Sequence, residues 1–357
     1  MTINPDPDLT IGDLGEKRLI EEYLRPLFNP VNERNSVGDD CAAVEIPAHS
    51  LAIISTDRVP SDLISFRTGV LSYRGLGRYL GALNLSDIAA CGGRPLALLF
   101  NCGVPAELKV ADILEVSIGL KSIAERFGAY VVGGDITSSQ ELSISATVLG
   151  HVERDRMLRR RGAQQGDSVF VSRPVGLTPV ALDWCLNPRE YGWIGEEDRV
   201  TLESQFKCLD PEIPLGRQLL VSNSCSACMD NTDGVGQSLQ ELARESSCAI
   251  RVSEDALGIG TLVVTAAAKR GKDTIEFALG PGADFGLVGT LAGHWTQERA
   301  DQTFGPVIRI IGTAEIGCGV FRNNGSETRP LAVQGWNYFA SSELNYHFAE
   351  PVPLTSV

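Results

Sequence analysis

Five short acidic motifs define the chemistry open to this chain: Val37-Gly38-Asp39-Asp40, Ser55-Thr56-Asp57, Asn84-Leu85-Ser86-Asp87, Gly133-Gly134-Asp135 and Asp230-Asn231-Thr232-Asp233-Gly234. Each sets a carboxylate beside Gly, Ser, Thr or Asn where an apolar run stops. Any one alone is an ordinary turn or helix cap, because these residue types hydrogen-bond nearby backbone in such places. Together they suggest hard oxygen ligands holding several divalent cations against a polyphosphate, since Mg²⁺ prefers oxygen donors and shares its shell with phosphate and water. Phosphoryl transfer then needs little more than charge neutralisation, a cationic side chain and an acceptor held in line. Arg159-Arg160-Arg161, just before the Gly162 loop, offers the cation, although such a run is equally what a solvated charged face contains.

Other chemistries find less support. No GxxxxGK[ST] occurs, since Gly271-Lys272 is followed by Asp273, and the protein-kinase motif set is absent. Gly75-Leu76-Gly77 is followed by Gly81, one residue too late for a dinucleotide fingerprint and inside a helical pattern. His49, His151, His294 and His347 are not spaced with Glu or Cys as zinc ligands. Cys225-Ser226-Ala227-Cys228 is the only CxxC and has no second pair, so the 9 cysteines read as reduced, mostly buried thiols. A net charge of −14 argues against a nucleic-acid partner. It would also repel ATP unless divalent metals on the aspartates neutralised both sides. No apolar run reaches the roughly 18 residues of a membrane span. The segment from Met1 to Asp8 lacks the basic and apolar regions of a signal peptide, so the expected location is the cytoplasm and no membrane partner is expected.

The elements that must position these motifs follow from periodicity. Leu19, Ile20, Tyr23, Leu24 and Leu27 give residues 16–28 one apolar helical face. Cys41–Ile46 and Leu51–Ser55 read as short strands flanked by the first two motifs. Residues 73–90 read as a helix carrying Asn84 and Asp87 as i,i+3 neighbours. A buried strand at 95–102, a helix at 110–127 and a strand at 130–132 that stops at Gly133-Gly134-Asp135 come next. The alternation of Leu142, Ile144, Ala146, Val148 and Gly150 predicts one more strand. Beyond the loop at 162–167, strands are expected at 169–171, 262–264 and 307–312, and helices at 175–185 and 235–246; residues 187–214 form a polar excursion or helical hairpin. The expectation is an α/β (α+β) protein of two lobes: residues 1–160, a mixed sheet with helices, and residues 161–357, a second α/β lobe.

The motifs, in this order and spacing, resemble those of the thiamine-monophosphate kinase family. The resemblance includes Ile88-Ala89-Ala90-Cys91-Gly92-Gly93-Arg94-Pro95 after Asp87, Ile136-Thr137 after Asp135, and Gly162-Ala163 with Gly166-Asp167 after Arg161, and it extends to Gly335-Trp336-Asn337-Tyr338-Phe339. That family belongs with aminoimidazole ribonucleotide synthetase, selenophosphate synthetase and a carbamoyl-dehydrating hydrogenase maturation protein. The resemblance implies a homodimer whose N-terminal lobes pair their sheets, with ATP and several Mg²⁺ in a cleft. It implies Asp40, Thr56, Asp57, Asp87, Asp135, Asp230 and Asp233 as metal ligands, and Gly134, Asp135, Arg160 and Thr232 as ATP-phosphate contacts. Asp87, Arg160 and Asp233 would be the residues closest to the chemistry. Thr232 stands where the family usually has Ser, and both present a hydroxyl.

The acceptor side departs from that pattern. The family usually has a His-Phe pair after Ser-Thr-Asp, whereas Arg58-Val59-Pro60-Ser61-Asp62-Leu63-Ile64-Ser65-Phe66 has no His. A Gly-Gly-(Asp/Glu)-Asp-Tyr-Glu block becomes Pro281-Gly282-Ala283-Asp284-Phe285-Gly286, leaving Asp284 as its remaining acid. Losing such partners from a polar pocket costs roughly 1–3 kcal/mol each. Asp284 and Trp336 are the candidate contacts to a small-molecule phosphate acceptor. Three readings follow: a phosphotransferase acting on thiamine phosphate or a changed acceptor, ATP-dependent activation of an amide or carbonyl oxygen, and a nucleotide-binding regulator without turnover.

Overall fold

The computed structural model describes residues 5–28 and 41–332, which divide into two compact units, Met1–Ile88 with Gly93–Asp155 and Ala89–Gly92 with Arg156–Val357. In the first unit, β1 (Ser50–Arg58), β2 (Arg94–Val104), β3 (Tyr130–Ser138) and β4 (Ser143–Glu153) form a sheet in the order β1-β4-β2-β3. β4 runs antiparallel to both β1 and β2, while β2 and β3 are parallel. A parallel pair needs a long crossover, and the helix Val110–Arg126 supplies it. Along β4, Ile144, Ala146, Val148 and Val152 are buried while Ser145, Thr147, Leu149 and His151 are half-exposed, so one sheet face is core and the other is open.

The helix Tyr73–Ala90 buries Leu76, Tyr79, Leu80, Leu85 and Ile88. It approaches Val110–Arg126 more closely than side chains would permit. A Cβ on Gly77 would lie 1.9 Å from the Val116 carbonyl oxygen, and one on Gly119 would lie 2.1 Å from that of Arg74. The glycines that mimic part of a dinucleotide fingerprint are therefore a helix-packing contact.

The second unit is a seven-stranded sheet in the order β11-β10-β7-β9-β5-β8-β6. Its strands are β5 (Ser168–Val171), β6 (Cys225–Asp230), β7 (Ala249–Ser253), β8 (Leu287–Leu291), β9 (Arg309–Glu315), β10 (Gly319–Asn323) and β11 (Thr328–Pro330). All neighbours are antiparallel except β7 and β10. The helices Leu177–Leu186, Glu196–Lys207, Ile213–Ser222 and Val235–Ser246 belong to this unit. Asp183, fully buried, is neutralised by Arg270 Nε at 2.8 Å and Lys272 Nζ at 3.3 Å and accepts from the Tyr191 hydroxyl at 2.7 Å.

Several local expectations are corrected. Residues 41–46 form no strand: β1 begins at Ser50, and its register with β4 runs from Ser50 to Arg58 without including the segment before it. Leu262-Val263-Val264 is not a strand but lies in the helix Thr261–Lys269, where Ala266-Ala267-Ala268 favours helix and Val263, Ala266 and Ala267 bury one i,i+3,i+4 face. Residues 16–28 are helical with a π-helical stretch at Leu19–Leu24, next to Pro26, which has no N–H to give. β1 and β3 run through their acidic motifs to Arg58 and Ser138 instead of stopping at them. No helix among the described residues is long and apolar enough to cross a membrane.

Candidate functional site

In the first unit, β1 alternation puts Ser55 and Asp57 on one face, and the i,i+3 spacing puts Asn84 and Asp87 on one side of the helix Tyr73–Ala90. The two pairs interlock. The Ser55 hydroxyl donates a short hydrogen bond to Asp87 Oδ2, and the Asp57 N–H donates to Asn84 Oδ1 at 3.3 Å. Asn84 is fully buried and its Nδ2 donates to the Leu80 carbonyl at 3.0 Å, so its amide ties strand to helix with both ends satisfied. Asp57 and Asp87 are left half-exposed, hard oxygen donors held by two regular elements.

Thr56 and Asp135 do not join this cluster. The Thr56 hydroxyl donates to the Ala146 carbonyl at 3.0 Å and accepts from Thr147 Oγ1 at 3.1 Å, on the opposite sheet face. Asp135 is exposed and lies on the register row Arg58–Ser145–Asn101–Asp135, which faces the same way as Thr147 and away from Asp57. Gly134 pairs with Phe100, where a Cβ would sit 1.7 Å from the Phe100 carbonyl oxygen, so only glycine fits. Asp40 and Trp336 lie outside the described residues.

Two residues beyond Asp57 the chain opens into a pocket of about 650 Å³ whose lining includes Val59, Leu63 and Phe66 with Asp62, Arg67 and Glu141. Phe66 is steadied edge-on by Tyr73 at 5.2 Å. Ser65, beside it, is buried with no hydrogen-bond partner for its hydroxyl among the described residues. An apolar floor with a few charged groups in that volume suits a small heterocyclic ligand. Asp62, Arg67 and Glu141 are absent from the sequence-level site; for Asp62 and Arg67 the signal available was their closeness to Ser55-Thr56-Asp57, whereas Glu141 reaches the pocket only through the fold.

In the second unit, β6 ends at Asp230 and the helix Val235–Ser246 begins one residue after Gly234. Gly234 has φ +116°, and a Cβ there would meet the Gly280 carbonyl oxygen at 2.3 Å. Asn231 Oδ1 accepts the Gly234 N–H at 3.0 Å and the Ser238 hydroxyl at 3.3 Å, which shapes the loop. Asp230 is buried, while Thr232 and Asp233 are half-exposed. Burial pushes the Asp233 carboxyl above the ordinary range; the Arg160 charge pulls it back down and Glu241 adds to the rise. Arg160 itself is exposed, on a segment pinned by the Cys228 N–H to the Arg159 carbonyl at 2.8 Å and by the Gly162 N–H to Ser246 Oγ at 3.1 Å.

Asp284 lies in the loop before β8. It accepts the Gly286 N–H at 2.8 Å; burial pushes its carboxyl above the ordinary range, while that N–H, the nearby Asn231 side chain and the Arg173 charge pull it back down. Among the described residues no group of three His, Cys, Asp or Glu side chains encloses a metal. Two carboxylates such as Asp57 and Asp87 nevertheless fit Mg²⁺, which keeps waters and takes phosphate oxygens for the rest of its shell.

Comparison with known proteins gives a consistent result. Residues 38–152 match the family described as AIR synthase related protein, N-terminal domain. The chain is 29% identical over 331 residues to a thiamine-monophosphate kinase of Aquifex aeolicus, covering 93% of this chain and 100% of that one. It is 30% identical over 287 residues to that of Mycobacterium tuberculosis, covering 80% and 83%. A solved structure described as AaThiL complexed with AMPPCP and TMP superposes with a TM-score of 0.68 and 27% identity, covering 94% of this chain and 100% of the other.

Proposed function

The chain belongs to the thiamine-monophosphate kinase family, an ATP-dependent kinase family, and from that membership we propose that it transfers the γ-phosphoryl group of ATP to thiamine monophosphate with the help of Mg²⁺. A phosphate oxygen of the acceptor forms the new O–P bond while the bond from the γ-phosphorus to the β–γ bridging oxygen breaks, giving thiamine diphosphate and ADP. The observation that carries this reading is the interlock of Ser55 and Asp57 with Asn84 and Asp87, which presents two carboxylates from rigid elements. The complex of a relative with AMPPCP and TMP supports the choice of donor and acceptor.

Asp57 and Asp87 are assigned to Mg²⁺, with Asp40, Asp230 and Asp233 as further family-matched ligands. Bound there, the metal supplies charge neutralisation of the polyphosphate. The backbone at Gly134 and the side chains of Thr232 and Arg160 are assigned to ATP phosphates, Arg160 meeting the charge that develops in transfer. Neither the Thr56 hydroxyl nor Asp135 is assigned to this metal, because the bonds of Thr56 to β4 and the register row of Asp135 put both on the other sheet face. The acceptor is assigned to the pocket beside Asp57, where Arg67 would pair with its phosphate and Phe66 would pack on a ring. Arg67 would stand in for the missing His. A homodimer through the open sheet face is part of the proposal, supported by exposed Ile54, Leu99 and Tyr130 on that face.

The test is an ADP-release assay with thiamine monophosphate over a range of Mg²⁺ concentrations. Saturable, Mg²⁺-dependent ADP formation with thiamine diphosphate as the second product is expected. ADP formed with free phosphate instead would favour activation of an acceptor oxygen, and no turnover with intact ATP binding would favour a regulator.

A further inference from the structure

β6 carries a bulge inside the Cys225-Ser226-Ala227-Cys228 motif. Cys225 pairs with Leu291 and Ala227 with Thr290, so Ser226 is the extra residue on its strand. A bulged residue has no place in the ladder, which frees its polar groups for other partners. The Ser226 hydroxyl donates to Asp167 Oδ2 at 2.6 Å and lies 2.7 Å from the Thr290 hydroxyl. Its carbonyl faces Gly162, where φ is +131° and a Cβ would lie 2.3 Å from that oxygen, so only glycine lets the two segments approach this closely. Asp167 is buried and collects two further donors, the Gln164 N–H at 2.9 Å on Oδ2 and the Gly293 N–H at 2.7 Å on Oδ1. One carboxylate therefore ties the loop that follows Arg160 to the bulge of β6 and to the segment after β8. The same stretch is held at two other points. The Cys228 N–H donates to the Arg159 carbonyl at 2.8 Å, and Ser246 Oγ accepts the Gly162 and Ala163 N–H groups at 3.1 and 3.2 Å. The backbone on both sides of Arg160 is thus fixed while the Arg160 side chain stays exposed.

We propose that Asp167, acting through Ser226 and the Gly162 loop, is a positioning residue for Arg160. The proposal rests on reading Arg160 as a contact to the ATP phosphates. It gives the CxxC motif a use that involves neither thiol, since the serine between them is the bulged residue that meets Asp167. Nothing in the spacing of that motif points to Asp167, which lies 59 residues away and is joined to Ser226 by the fold.

The test measures ADP release with thiamine monophosphate, and hydrogen–deuterium exchange over residues 159–167. The proteins are unmodified chain, R160A, D167N, S226A, C225S, R160A/D167N and R160A/S226A. R160A should lower kcat at least about a hundredfold. D167N sets an amide N–H against a backbone donor and should lower kcat about tenfold; S226A removes one bond and should lower it about threefold. Both should leave KM for thiamine monophosphate within about twofold, because the acceptor pocket is untouched. Each double variant should be no slower than R160A alone, since Asp167 and Ser226 act only through Arg160. C225S alters the motif without touching the Asp167 bond and should match the unmodified protein. Exchange at 159–167 should quicken in D167N and S226A and stay unchanged in C225S. Losses that multiply in the double variants, or exchange unchanged in both D167N and S226A, would overturn the proposal. Should D167N fail to fold, S226A and R160A/S226A carry the same comparison. If the unmodified protein releases no ADP, or R160A releases it as fast, the reading of Arg160 fails, and the exchange pattern still decides whether Asp167 and Ser226 hold its segment.

Discussion

Asp87 is held by one hydroxyl and otherwise left to solvent, the arrangement expected of a carboxylate kept available for a cation. Asp87→Asn keeps the volume and removes the charge, so Mg²⁺-dependent ATP affinity should fall at least about tenfold, whereas Ser55→Ala should change it by about threefold or less. Titrations at several Mg²⁺ concentrations check both, and an unchanged affinity in Asp87→Asn would remove this site from the mechanism. Cys102 offers an independent check on the same sheet. Burial, with the Asp135 charge adding to it, pushes its thiol up to about 12, so alkylation at pH 8 should leave it unmodified while exposed Cys41, Cys208 and Cys318 react. Peptide mapping after iodoacetamide treatment reads this directly; early labelling of Cys102 in folded protein would contradict the burial described.

The pairing of helices Tyr73–Ala90 and Val110–Arg126 is the element that brings Asn84 and Asp87 to β1. Their contact is made by Gly77 and Gly119 against backbone carbonyls, which cannot move aside as a flexible side chain can. Gly77→Ala should therefore destabilise the first unit by about 3 kcal/mol or more, despite the higher helix propensity of alanine. Calorimetry should show an earlier transition, and a stabilised protein would refute the close contact. Much of this element was legible: the apolar spacing predicts the helix at 73–90, and the helix is found there. The strand expected at 262–264 was not, because three apolar residues suit strand and helix alike until the alanines beyond them are packed.

At the scale of the whole molecule, the open face of the first sheet is an exposed apolar surface. Ile54 is 69% exposed, and Leu99 and Tyr130 are 41% exposed, in a chain with net charge −14. Isolated apolar residues are common on surfaces, but these three lie on the same sheet face as Thr147 and Leu149. The double substitution Ile54→Lys with Leu99→Lys should convert the proposed dimer to a monomer without unfolding it. Light scattering after size exclusion checks the mass, and a monomeric unmodified protein would dispose of the dimer.

The sequence by itself determined which residue types could do chemistry and which neighbours share a face within one element. Asn84 with Asp87 follows from helical spacing, and Ser55 with Asp57 from strand alternation, because both periods are local properties of the backbone. Only the tertiary structure decided that these two pairs meet, across 32 residues between Ser55 and Asp87, since that depends on how a helix docks on a sheet. It likewise turned the Thr56 hydroxyl and Asp135 to the other face. Strand order and register place such partners, and neither is written in the spacing of any single motif.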